Sequence, residues 1–113
     1  MAKLKLFCIV KGDSSAFSVN IPLTDTVDEL KQLICTPARF PNITPERLTL
    51  WKANLPLADA KKDVTLLQNV IDSTPSLAEN AVISTVFPPP VDPENLHIIV
   101  QRPEQGKTYL LFL

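Results

Sequence analysis

Arg47-Leu48-Thr49-Leu50-Trp51-Lys52-Ala53-Asn54-Leu55-Pro56-Leu57 reads as a buried strand that turns and returns. Leu48 and Leu50 alternate with Thr49 and Trp51, the period-two pattern of a strand with at least one face in a core. Arg47 to Lys52 is therefore expected to be a strand. Ala53-Asn54 predicts a tight turn, and residues 55–57 a short returning strand. The stretch is too short and too apolar to be a catalytic motif.

Upstream, Lys3 to Lys11 alternates too. Leu4, Leu6, Cys8 and Val10 share one face; Phe7 and Ile9 fall on the other with the lysines. Gly12-Asp13-Ser14-Ser15 is a turn cluster. After it Phe17, Val19 and Ile21 share a face, so the N-terminus predicts an antiparallel hairpin. Thr26 with Glu29 makes a capping box, and Asp28 and Glu29 suit a positive helix start. Val27, Leu30, Leu33 and Ile34 then form an apolar helical stripe, stopped by Pro37. A hairpin followed by a one-faced helix wants that helix laid across the sheet.

Pro41 to Glu46 is a proline-punctuated connection, and its Asn42-Ile43-Thr44 sequon is a weak surface marker. Residues 63–71 suit a short helix or an extended cover, and 77–87 read as helix or irregular structure. Pro88-Pro89-Pro90 must be extended. Residues 96–100 predict a last strand, ended by Arg102-Pro103. The expected order is β-β-α-β-β, an insert, then β: an α+β fold.

The 113 residues suffice for one domain, and a net charge of -1 gives no nucleic-acid footprint. Proline is frequent, at 11, and glycine scarce, at 2, which argues against a glycine-rich phosphate cradle. No segment is long enough to span a bilayer, and no classical signal-peptide core is visible. Export would then be non-classical, or would rest on a leader removed earlier. Cys8 and Cys35 lack zinc-like spacing and read as reduced, buried small hydrophobes.

No catalytic residues, cofactor or metal are expected. His97, the sole histidine, has no Cys, Asp or Glu at ligand spacing. Gly106-Lys107-Thr108 is similar to the end of a phosphate-binding loop, but Gln101 stands where the motif needs its first glycine. Lys61-Lys62 reads as a solvated turn. Trp51, the sole tryptophan, has two readings: packing beneath the insert at 60–90, which is favoured, or a partner-binding anchor.

Residues 25–34 resemble the first helix of ubiquitin with its threonine cap, and Arg47-Leu48-Thr49-Leu50 resembles its third strand. The resemblance implies a ubiquitin-like β-grasp: a mixed sheet with one main helix across it and an insert before the last strand. Thr49 stands where ubiquitin exposes an isoleucine, and the chain ends Tyr109-Leu110-Leu111-Phe112-Leu113 without Gly-Gly. Ubiquitin's docking patch and its attachment to lysines are therefore not expected.

A second resemblance is to the Crinkler (crinkling and necrosis) effectors of oomycetes and some fungi. Leu48-Thr49-Leu50-Trp51-Lys52-Ala53-Asn54 is similar to their LxLFLAK motif, with Lys52 in place of its third leucine and Asn54 in place of its lysine. Residues 5–10 with 16–19 resemble the family's first strands. His97-Ile98-Ile99-Val100-Gln101-Arg102-Pro103 resembles the HVLVVVP motif that closes the family's header. The resemblance implies a non-catalytic N-terminal header, residues 1–103, with 104–113 a tail or linker. It implies secretion and entry into a host cell, with the host nucleus as a frequent destination. The expected partner is a host or self protein met through a sheet face or edge, with no nucleic acid. The apolar tail adds a possible homodimer contact. Two alternatives are an intracellular ubiquitin-like adaptor and a fragment of an NTPase-type effector.

Overall fold

The computed structural model describes residues 3–11, 16–41, 43–89 and 91–102. The 12–15 turn cluster, Asn42, Pro103, the Gly106-Lys107-Thr108 triplet and the apolar tail therefore lie outside the described residues. Strands β1 (Lys3–Val10) and β2 (Ala16–Pro22) form the expected antiparallel hairpin, in register from Lys3 opposite Pro22 to Ile9 opposite Ala16. Strand β3 spans Thr49–Pro56 and β4 Asn95–Gln101. The sheet order is β2-β1-β4-β3, with β1 and β4 parallel and β3 antiparallel to β4. This is a mixed sheet of the α+β class, consistent with a ubiquitin-like grasp.

The sheet is buried on both faces. On one, Leu4, Leu6, Cys8 and Val10 meet Val27, Leu30 and Ile34 of helix α1 (Val27–Ile34), with Leu48 and Leu50 in the same cluster. On the other, Ile9, Trp51, Ala53 and Ile99 pack with Ala60 of α2 (Leu57–Lys62) and Leu67 of α3 (Val64–Ser73). Central strand β4 serves both cores, which is why residues 96–100 are a continuous apolar run apart from His97.

Helix α1 starts on the predicted box: the Thr26 amide donates to Glu29 Oε1 over 3.2 Å. The stripe differs at one position. Leu33 is exposed, while Lys31 is buried and its ammonium lies 3.8 Å from the Glu79 carboxylate. The helical period explains this: Leu33, six residues after Val27, lies about a third of a turn from it, while Lys31 lies about a ninth of a turn from it.

The third strand also differs from expectation. Arg47 belongs to a 3-10 turn (Pro45–Arg47), and β3 runs on through Ala53-Asn54 to Pro56. There is no turn and no returning strand, because β3 keeps its pairing with β4 and absorbs an irregularity between Lys52 and Leu55. Ala53 is held in the second core, and Asn54 Oδ1 accepts from Asn95 Nδ2 across the strands at 2.7 Å. Leu57 opens α2 instead.

Residues 64–71 are helical within α3, and Asp63 caps it by accepting from the Thr65 amide at 2.9 Å. Residues 77–87 are mostly irregular, with one short helix, α4 (Ile83–Val86). This segment supplies the start of α1 with partners: the Val27 amide donates to the Ala81 carbonyl and the Asp28 amide to the Glu79 carbonyl. Those are amides that a helix cannot satisfy internally. The Leu77 amide donates to the Leu50 carbonyl, tying the same segment to β3.

Candidate functional site

The two motifs singled out in the sequence are neighbours. Thr49 pairs with Gln101, Leu50 with Val100, Trp51 with Ile99 and Lys52 with Ile98. Residues 49–54 and 97–101 thus lie on two neighbouring antiparallel strands, although more than forty residues separate them in sequence.

Burial divides the first motif sharply. Leu48, Leu50, Trp51 and Ala53 are all buried, Leu50 completely and Trp51 at 8% exposure. Leu48 and Leu50 belong to the α1 core, Trp51 and Ala53 to the α2–α3 core. Trp51 packs beneath the insert, so it is not a free anchor. Lys52 and Asn54 are exposed and Thr49 is half-buried. In the second motif Ile98, Ile99 and Val100 are buried, Gln101 is half-buried and Arg102 exposed.

His97 has a precise structural position. The β1–β4 ladder runs from Val10–Val100 down to Cys8–Ile98. At the next position the imidazole takes over, with Nδ1 accepting the Phe7 amide at 3.0 Å. Nε2 lies 2.8 Å from the Asp92 carbonyl. Nδ1 can accept only when unprotonated, so the proton sits on Nε2 and is donated to Asp92. Burial pushes the imidazole below its ordinary pKa, against the opposing pull of the Asp92 carbonyl and carboxylate. His97 is a neutral strut between β1 and the loop that leads into β4. Leu96 and Ile98, two residues apart, contact different cores, so strand alternation breaks at this residue.

A cleft of about 360 Å³ opens beside the strut. Lys52, Asn54 and His97 line it from the two motifs, facing Phe87, Asp92 and Asn95. The Lys52 ammonium lies 5.8 Å from the Phe87 ring centroid. Phe87, Asp92 and Asn95 carry no motif signal in the sequence; only the fold brings them to the cleft. Among the described residues no group of three or more His, Cys, Asp or Glu could hold a metal ion. Cys8 and Cys35 are both free, and burial pushes the Cys8 thiol up to about 12, far from a reactive thiolate. No described helix is long and apolar enough to cross a membrane.

A two-sided mixed sheet with its landmark motifs in one ladder is consistent with a small ubiquitin-like module. The chain belongs to the Crinkler effector family: residues 4–101 match the Crinkler effector protein N-terminal domain. It is 32% identical over 109 residues to Crinkler effector protein 1 of Rhizophagus irregularis. That alignment covers 93% of this chain but 23% of the relative, so the chain spans less than a quarter of the curated relative's length.

Proposed function

We propose that this domain is a non-catalytic header that takes a microbial effector out of its producer and into a host cell, and that it works there through protein contacts. The observation that carries the reading is the family match across residues 4–101, together with the small share of the relative that the domain occupies. A header that delivers a longer effector has that proportion. Residues 1–103 form the delivered module in this reading.

Within it, the LxLFLAK-like segment acts mainly by building the fold. Four of its residues are in the two cores, which leaves Lys52, Asn54 and part of Thr49 to touch a partner. The HVLVVVP-like segment contributes the partner strand and the His97 strut.

The test is a secretion and uptake assay with residues 1–103 fused to a reporter. Reporter inside the host cell supports delivery. Reporter that stays with the producer overturns delivery and leaves the intracellular adaptor reading.

A further inference from the structure

A second cleft, of about 300 Å³, lies where β1 ends and β2 begins. Two guanidinium–ring pairs frame it. Arg39 sits over the Phe17 ring at 4.0 Å from the centroid, and Arg102 over the Phe40 ring at 5.3 Å. Val10, Ala16 and Ala38 complete the apolar part of the lining.

Both arginines are held by their surroundings. The Arg39 and Phe40 amides both donate to the Thr36 carbonyl, at 3.0 and 2.8 Å, and lock the 36–40 turn. Phe40 is fully buried and makes a fixed platform. Arg102 directly follows Gln101, which is paired with Thr49. A guanidinium stacked by its face keeps its edge N–H groups for a planar oxyanion. No carboxylate is among the described residues that line the cleft. Two positive charges there stand out on a chain of net charge -1.

We infer that the Arg39–Arg102 cleft binds an extended acidic segment of a partner protein, with a carboxylate held between the guanidiniums and an adjacent apolar side chain against Val10, Ala16 and Phe17. The apolar lining selects the peptide over a free ion, since an inorganic anion would leave those residues unused. Ala16 and Phe17 open β2, an edge strand of the sheet, which suits an extended ligand. This gives a partner chemistry to the protein-contact part of the proposed function and rests on that part alone. A failed uptake assay leaves it standing.

The test uses the full chain at low salt and a fluorescein-labelled peptide of alternating glutamate and leucine, followed by anisotropy. A lysine-for-glutamate peptide is the control, and inorganic phosphate is titrated separately. The acidic peptide should bind, the lysine peptide should not, and added salt should weaken binding. An Arg39→Gln/Arg102→Gln double variant should weaken it about tenfold or more, a loss reasonable for two charge-assisted contacts. Lys61→Gln/Lys62→Gln should leave it unchanged. Equal binding of both peptides, full binding by the arginine double variant, or an equal loss in the lysine double variant overturns the inference. Phosphate binding without peptide binding reduces the cleft to a free-anion site and also overturns it. If the double variant melts early, Arg39→Lys decides: it keeps the charge without the planar fork, and undiminished peptide affinity refutes the stacked-arginine geometry.

Discussion

The Phe7 amide donates to the His97 imidazole across 3.0 Å, joining residues 90 apart in sequence at the point where the β1–β4 ladder gives way. That bond exists only while Nδ1 is unprotonated. Folding therefore depresses the pKa of His97 below its ordinary 6.5, through burial first. The unfolded chain takes up a proton that the folded chain resists.

Stability should thus be full above about pH 6.5 and fall as the pH drops from there toward the lower, folded pKa. His97 is the only histidine, so a titration in this window belongs to it. Thermal melts from neutral to mildly acidic pH check this, with His97→Ala as the control. The variant should lose the pH slope and cost about 1–3 kcal/mol, since the Phe7 amide and Asp92 carbonyl lose their partner. An unchanged slope in the variant would refute the strut.

Leu50 is fully buried between β3 and α1. Leu50→Ala should cost about 2–5 kcal/mol by opening a cavity, and host uptake should fall with the fold. Lys52→Ala, at an exposed position, should move stability by less than about 0.5 kcal/mol. A Leu50→Ala protein that keeps its melting temperature yet no longer enters host cells would show that the segment is read directly.

Trp51 reports the second core. As the only tryptophan it should emit at blue-shifted wavelengths and resist iodide quenching until α2 and α3 unfold. Trp51→Ala should cost about 3–5 kcal/mol, the range for emptying a large aromatic site. Easy quenching in the native state would contradict the packing.

The two thiols should differ. Cys8 is buried on β1 with its pKa pushed up to about 12, while Cys35 is only half-buried after α1. A disulfide reagent such as Ellman's should modify Cys35 alone in native protein and both in denaturant. Native modification of Cys8 would place it nearer the surface than the β1–α1 core allows.

Much of the fold was legible because its signals are local. Alternation in residues 3–10 and 16–21 encodes two strands, and Thr26 with Glu29 encodes a helix start, each within a few residues. The reading failed where a distant partner decides. Ala53-Asn54 is acceptable turn chemistry in isolation, but β4 pairs with Lys52 before it and with Leu55 after it, and the strand runs on through both residues. Leu33 is a different failure: it is apolar enough for a core, but the helical period sets it farther from Val27 than Lys31, a distinction the sequence already contained.

The site divides the same way. The sequence by itself determined that Leu48 and Leu50 share one strand face and that residues 96–100 form a strand, because side-chain direction follows from the period of the backbone. It could not determine that the two motifs are register partners, that His97 replaces a rung of the ladder, or that Arg39 and Arg102 meet at one cleft. Those are contacts between segments far apart in the chain, and the tertiary structure decided them by closing β1 against β4 and burying both faces of the sheet at once.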